Sequence, residues 1–315
     1  MPLCRYAAMR RPGASYMTRL TGCGTALVTP MKANGDVDYA ALRSLVEWQI
    51  AEGIHFLVPC GTTGEAVTLS PDERVEVVRT VSGAAKGRVK VVAGATSNDT
   101  RAAVEETKRM AAAGADYILS ATPYYNKPTM EGLYHHFGAV ADAGGKPVVL
   151  YNVPGRTSVN MDAATTLRLA GRPGIAAVKE ASGNLGQIME IIKGRPDGFA
   201  VLSGDDSTAL AVVAMGGDGL ISVAANEAPG PMSKLISAGL KGDLAAARQL
   251  HYKLLNLMNT NFIESSPIPV KWALHAMGRI EPGIRLPLGS TVGAASVRSW
   301  PRSTKVSRIS CWTFR

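Results

Sequence analysis

Short apolar runs alternate with amphipathic helical patterns along most of the chain. Eight runs of five to seven residues, rich in β-branched and other apolar side chains, predict strands at 22–28, 55–60, 90–95, 117–121, 147–152, 175–180, 199–203 and 219–223. Between them, apolar residues at helical spacing predict helices that include 38–52, 71–85, 99–113, 130–143 and 184–193. Because helices separate successive strands, the sheet should be parallel. Eight such strands close into a (β/α)8 TIM barrel, which is the predicted α/β fold class.

The main alternative to a barrel is a doubly wound open sheet. That fold often has a G-x-G-x-x-G turn after its first strand, and no such turn follows residue 28. Helical patterns at 229–240, 243–259 and 267–277 then predict a C-terminal helical extension. The expected organisation is a basic, disordered N-terminal extension at 1–19, a barrel at 20–228, a helical segment at 229–288 and a basic tail at 289–315.

The formal net charge of +9 resides in the two ends of the chain. Residues 1–19 hold four arginines, residues 293–315 hold five basic residues, and neither segment contains an acid. The rest of the chain has 25 basic residues against 25 acidic ones, which argues against a nucleic-acid-binding face. No apolar run reaches the roughly 20 residues of a membrane span. The four cysteines show no paired spacing and the five histidines no metal-binding motif, so a cytoplasmic protein without a metal site is expected.

Lys179 interrupts the apolar run that predicts the sixth strand, just before Glu180 ends that run. A buried ammonium group is costly unless it is paired or loses its proton. Two interpretations are open. The lysine could bend out of the strand end to reach water, or its burial could make the amine reactive.

The ends of the other predicted strands carry further reactive groups. In a (β/α)8 barrel, catalytic residues lie at the carboxyl ends of the strands. Hydroxyls, phenols and one arginine occur there, in the stretches GTTGE (61–65), TPYYN (122–126) and YNVPGRT (151–157). Together with Lys179 they suit amine chemistry on a carbonyl substrate. The lysine would form a Schiff base, a tyrosine would move protons, and the arginine would bind a carboxylate.

Each of these features also has a simpler structural interpretation. The GTTGE stretch could be a glycine turn that caps a helix, and the tyrosines could be packing residues. Arg156 could form a surface salt bridge. Asp205 and Asp206 resemble a metal-binding pair but are expected to cap the next helix instead. The joint occurrence of the other features at strand ends favours catalysis.

From about residue 22 to residue 288, the chain resembles the dihydrodipicolinate synthase family of pyruvate-dependent aldolases, a group that includes N-acetylneuraminate lyase. The most specific shared motifs are GTTGE (61–65), TPYYN (122–126), YNVPGRT (151–157), KEASGN (179–184) and SPIPVKWA (266–273). The resemblance implies a (β/α)8 barrel, a homotetramer built from tight dimers, and no cofactor beyond a covalent pyruvate adduct on Lys179.

The resemblance also implies a role for each catalytic residue. Lys179 would condense with pyruvate, and Tyr151 would be the general acid and base. Tyr151 would share a proton relay with Thr63 and with Tyr125, which would reach in from a neighbouring subunit. No metal ion takes part in this scheme.

A second set of residues would bind the substrates, again by resemblance. Thr62 and Thr63 would hold the pyruvate carboxylate, and Arg156 would bind the carboxylate of aspartate 4-semialdehyde. Gly204 and the carbonyl group of Ile221 would line the pocket.

The implied activity is condensation of pyruvate with L-aspartate 4-semialdehyde to 4-hydroxy-tetrahydrodipicolinate, the first committed step of lysine (diaminopimelate) biosynthesis. Arg156 favours this reaction over that of a sugar-acid lyase, the alternative within the same chemistry. A non-catalytic protein that binds nucleic acid through its tails is disfavoured, because the tails lack aromatic interleaving.

The chain departs from the family pattern in three respects. Several residues expected at a lysine-feedback site are replaced although Asn98 and Tyr124 are kept, so weak or absent lysine inhibition is expected; the replaced positions are Ala66, Pro71, Arg74 and Ala102. Residues 1–16 precede Met17 and are rich in arginine; an over-long reading frame is the simpler expectation, and a transit peptide is the alternative. The tail 289–315 has no helical period and is interrupted by Pro301, which suggests a frameshift or recombination.

Overall fold

The computed structural model describes residues 19–289, and the predicted segments at 1–19 and 289–315 lie almost wholly outside this part of the chain. Eight parallel strands form a closed barrel in sequential order, with β1 pairing β8. The predicted (β/α)8 fold is therefore confirmed. The strands are β1 Gly22–Ala26, β2 Phe56–Val58, β3 Lys90–Gly94, β4 Tyr117–Ala121, β5 Val148–Asn152, β6 Ile175–Glu180, β7 Ala200–Ser203 and β8 Gly219–Ser222.

Eight α-helices follow strands β1 to β7, and three more helices follow β8 within the described residues. They are α1 Tyr39–Ala51, α2 Pro71–Ala85, α3 Thr100–Ala112, α4 Met130–Ala143, α5 Pro154–Thr157, α6 Ala163–Ala170, α7 Leu185–Gly194, α8 Ala209–Ala214, α9 Pro229–Leu240, α10 Leu244–Thr260 and α11 Ile268–Ala276. The helical pattern gave no bounds for α5, α6 or α8, because these helices are too short to repeat an apolar period. The start of α2 was predicted from local signals. Ser70 and Glu73 form a capping box there, and Pro71 takes the first helical position.

The apolar core has two layers, one inside the barrel and one between the strands and the helices. Alternate strand residues, including Val92, Tyr151 and Leu202, fill the interior. Phe56 also points inward, and a Cβ atom on Gly24 would lie 2.0 Å from its ring, so glycine is required at that place. Since strand residues alternate sides, Lys179 shares the inner face with Ala177.

The C-terminal helices pack against the barrel. Helix α9 contacts β1 and α10. The Asn261 amide nitrogen at the end of α10 donates a hydrogen bond of 2.7 Å to the buried Glu227 carboxylate just before α9.

None of the helices between residues 19 and 289 has the length and apolar character needed to cross a membrane.

Candidate active site

The predicted site residues lie at the carboxyl ends of the strands, around one mouth of the barrel. Thr62 and Thr63 follow β2, Tyr125 follows β4, and Arg156 lies on α5 just after β5. The others are within or directly after the later strands, namely Tyr151, Lys179, Gly204 and Ile221.

Lys179 and Tyr151 are neighbours inside the barrel. They are paired in register on β6 and β5, and the Lys179 Nζ atom lies 4.1 Å from the centroid of the Tyr151 ring. Both side chains are buried, and Lys179 is only 6 % exposed. The amine forms no ion pair with any carboxylate of residues 19–289. The interpretation of a lysine that bends out to water is therefore wrong, and the structure places a buried amine beside a phenol.

Gly204 provides space for the lysine side chain. A Cβ atom at this position would lie 3.1 Å from Lys179 Cε and 2.7 Å from Ala181 Cβ. The Gly204 amide donates a hydrogen bond of 2.7 Å to the Glu180 carbonyl, which fixes the backbone close to the lysine. Ile221 is 1 % exposed and belongs to the inner layer of the core.

The loop that carries Thr62 and Thr63 is held in an unusual backbone conformation. Cys60 before it and Glu65 at its end have φ angles of 56° and 54°, which non-glycine residues seldom adopt. The Thr29 hydroxyl on the neighbouring loop donates a hydrogen bond of 2.7 Å to the Gly64 carbonyl. Thr63 is buried and Thr62 is exposed. Such strained loops persist where the surroundings fix them, and they are common at active sites.

A buried polar network lies on the outer face of β5 and β6, behind Tyr151 and Lys179. The Asn152 amide nitrogen donates to both Glu180 oxygens at 3.2 and 3.1 Å and to Asn160 Oδ1 at 2.8 Å. The Gln187 amide nitrogen also donates to Glu180, at 3.1 Å. Sequence reasoning missed these residues, although polar Asn152 and Glu180 directly follow the two site residues. The network fixes both strand ends and the loop that follows β5.

Arg156 and Tyr125 make no hydrogen bond, ion pair or ring contact with Lys179 within residues 19–289. Both are exposed, Tyr125 by 88 %, with a φ angle of 74°. Arg156 forms no salt bridge with an acid between residues 19 and 289, so the surface salt bridge considered above is not found there. The predicted contact of Tyr125 with a neighbouring subunit remains a prediction.

The expectation that Asp205 and Asp206 cap the next helix is wrong. Thr208 is the N-cap residue of α8 and makes no side-chain capping bond. The buried Asp206 carboxylate instead accepts hydrogen bonds from the Ser222 hydroxyl at 2.5 Å and from the amides of Val223 and Ala224 at 3.1 and 3.0 Å. Burial raises the pKa of Asp206, while these donors oppose the shift. Asp206 thus anchors the end of β8.

A (β/α)8 barrel with a buried lysine beside a tyrosine at its catalytic end has the arrangement of a Schiff-base enzyme. The chain belongs to the dihydrodipicolinate synthetase family, whose sequence profile matches residues 19–295. This confirms the family predicted from the motifs.

Individual relatives are similar over nearly their whole length. The 4-hydroxy-tetrahydrodipicolinate synthase of Koribacter versatilis is 58 % identical over 86 % of this chain and 90 % of its own. The synthase of Acidobacterium capsulatum is 52 % identical over 89 % and 93 %. Among solved structures, the chloride-inhibited dihydrodipicolinate synthase of Acinetobacter baumannii, complexed with pyruvate, is 46 % identical with a TM-score of 0.86, covering 88 % of this chain and 96 % of that one.

Proposed function

We propose that the protein condenses pyruvate with L-aspartate 4-semialdehyde to give 4-hydroxy-tetrahydrodipicolinate, as a lyase of lysine biosynthesis. The observation that carries the proposal is the buried Lys179 amine, 4.1 Å from the centroid of the Tyr151 ring at the barrel mouth. The activity predicted from the sequence agrees with the name shared by the 58 % and 52 % identical relatives.

The chemistry starts at the Lys179 amine. It attacks the keto carbon of pyruvate, the carbonyl oxygen leaves as water, and a protonated imine forms. Loss of a methyl proton gives an enamine, whose carbon attacks the aldehyde carbon of the second substrate. The amino group of that substrate then displaces the lysine amine and closes the ring. No cofactor is needed, because the imine itself accepts the electron pair.

The neighbouring residues serve this sequence of steps. Tyr151 transfers the protons, in a relay with Thr63 and with Tyr125 of a second subunit. Thr62 and Thr63 hold the pyruvate carboxylate, and Gly204 and the Ile221 carbonyl line the pocket. Arg156 binds the carboxylate of the semialdehyde through its forked donors.

A direct comparison of substrates tests the proposal. The purified protein should consume pyruvate and aspartate 4-semialdehyde in a coupled assay and should cleave N-acetylneuraminate and 2-keto-3-deoxygluconate slowly or not at all. Faster cleavage of either sugar acid would overturn the proposal in favour of a sugar-acid lyase.

Replacing Arg156 with alanine should weaken binding of the second substrate. Loss of a charge-assisted pair is worth about 1.5–3 kcal/mol, so the KM for aspartate 4-semialdehyde should rise by roughly 10- to 100-fold. The KM for pyruvate should stay within about twofold, because Arg156 does not serve the first substrate. Arg248→Ala, at an exposed position on α10, is the matched control. An unchanged KM for the semialdehyde would contradict the assignment.

We also propose a homotetramer located in the cytoplasm. The Tyr125 side chain is 88 % exposed, and its backbone has a left-handed conformation, which is unfavourable for tyrosine. Both features support the assembly, because contact with a second copy of the chain would bury the ring and offset the backbone strain. Sedimentation velocity at assay concentrations tests the oligomeric state, and an active monomer would contradict it.

Free lysine should inhibit the enzyme weakly or not at all. Arg74 and Ala102 differ from the residues expected at a feedback site, and the Arg74 Nε atom lies 3.2 Å from Glu106 Oε1. The Arg74 side chain is therefore already paired with an acid of the same chain. Initial rates measured against increasing lysine test the expectation, and strong inhibition at sub-millimolar lysine would contradict it.

A further inference from the structure

Two residues of the shared motifs have no role in the proposed chemistry, and the structure places them in contact. Glu65 ends the GTTGE stretch, and Lys271 lies in SPIPVKWA on α11. The Lys271 Nζ atom lies 2.5 Å from Glu65 Oε1, and their side chains are 5 % and 0 % exposed. Although 206 positions separate them, they form a buried ion pair that joins the C-terminal helices to the loop after β2.

Glu65 controls the backbone of the threonine loop. Its amide donates to the Thr62 carbonyl at 3.0 Å, and its own carbonyl accepts from the Thr68 hydroxyl at 3.0 Å. Its φ angle of 54° is unfavourable for a glutamate, so the surrounding contacts must hold it. Any shift of Glu65 is therefore transmitted to Thr62 and to the adjacent Thr63.

A second cation from the C-terminal segment fixes the other side of the same turn. The Arg285 amide donates to Glu65 Oε2 at 3.4 Å. The Arg285 guanidinium donates to the Thr68 carbonyl at 2.7 Å and to both Glu73 oxygens at 2.8 and 2.6 Å. The turn from Glu65 to Thr68 is thus held from the C-terminal segment at both ends.

We propose that Lys271 is a positioning residue for the pyruvate-binding loop, acting through its buried ion pair with Glu65. This inference rests on the proposed function, since it assumes that Thr62 and Thr63 bind the pyruvate carboxylate. A buried, fully paired contact suits the task because donors must be held close to their productive geometry before the substrate arrives. Displacement of a binding group by about 1 Å can reduce a rate by about 100-fold.

Lys271→Met tests the proposal by removing the cation while keeping a side chain of similar length. The value of kcat/KM for pyruvate should fall at least tenfold, and borohydride trapping of pyruvate on the enzyme should slow in proportion. The KM for aspartate 4-semialdehyde should stay within about twofold, because Arg156 belongs to another loop. Loss of a residue that merely stabilises the fold would change the kinetic constants for both substrates alike.

The control removes a cation from another largely buried ion pair, at the opposite end of the barrel. Arg195 and Asp218 pair before the start of β7 and β8, with side chains 12 % and 8 % exposed, and Asp218 also pairs with Arg19. Arg195→Met should lower the Tm and leave the KM for pyruvate unchanged. If this control also raised the KM for pyruvate, the effect of Lys271→Met would be general destabilisation and the proposal would fall.

Glu65→Asp covers the case in which Lys271→Met does not fold. Aspartate tolerates the left-handed conformation and keeps the charge, but its shorter side chain withdraws the carboxylate from Lys271. It should show the same selective loss in kcat/KM for pyruvate. A folded variant with wild-type kinetics, or loss of the fold in both variants, would overturn the positioning role. Failure of the wild-type protein to trap pyruvate would instead refute the proposed function.

Discussion

Replacing Lys179 with methionine is expected to abolish condensation and to stabilise the fold. Covalent catalysis disappears with the amine, so the rate should fall by a factor on the order of 10³ or more. Lys179 is 6 % exposed, and its amine has no acidic partner between residues 19 and 289. A methionine of similar volume removes a cationic group without a carboxylate partner from the interior, which should raise the free energy of unfolding by about 1–3 kcal/mol. Activity and stability should therefore change in opposite directions.

The measurement combines the coupled assay with urea unfolding of both proteins. Lys193→Met is the control, because Lys193 lies exposed near the end of α7 and should affect neither quantity strongly. If Lys179→Met kept more than about a tenth of the rate, the amine would not be the nucleophile. If Lys179→Met lowered the free energy of unfolding, the buried amine would not be destabilising.

Glu227→Gln is expected to stabilise the protein at neutral and alkaline pH. Burial raises the pKa of Glu227 from 4.5 to about 8, and the Asn261 hydrogen bond opposes part of that shift. Glu227 Oε2 and Asn261 Oδ1 have no hydrogen-bond partner within the described part of the chain. A glutamine amide can donate to Asn261 Oδ1 while its oxygen accepts from the Asn261 nitrogen. The expected gain at pH 8 is roughly 1–3 kcal/mol.

The sign of the pH dependence follows from the raised pKa of Glu227. Between pH 4.5 and about 8 the folded protein holds a proton that the unfolded chain has lost. The contribution of Glu227 to stability is therefore complete below pH 4.5 and is lost as the pH rises through about 8. Within that window the free energy of unfolding should fall by up to about 1.4 kcal/mol per pH unit.

Unfolding in urea from pH 5 to pH 9 would measure this slope, which Glu227→Gln should flatten. Glu190→Gln, at an exposed position on α7, should keep the wild-type slope. Identical slopes for the wild type and Glu227→Gln would show that Glu227 does not carry the effect.

The barrel could be predicted because its signal is local and repeated. Apolar runs alternate with helical periods eight times, and capping residues such as Ser70 mark helix starts. Lys179 stood out as a polar residue in an apolar strand, and in the structure it lies on the inner face of the barrel beside Tyr151. The bounds of the shortest helices were not predicted, because these helices contain too few residues to show a period.

Contacts between distant parts of the chain could not be predicted from one sequence. Asp206 looked like a helix cap because it precedes a helical run, but its donors come from the end of β8, 16 to 18 residues later. The ion pair of Glu65 with Lys271 spans 206 residues. Arg156 and Tyr125 were predicted as site residues, but both are exposed, and their roles stay predictions.

The proposed reaction requires an imine between Lys179 and pyruvate. Borohydride treatment of the wild-type protein with pyruvate should inactivate it and add the mass of one reduced pyruvate adduct to the peptide that contains Lys179. Lys179→Met should gain no such mass under the same conditions. A modified peptide without Lys179, or no modification of the wild-type protein, would contradict the account.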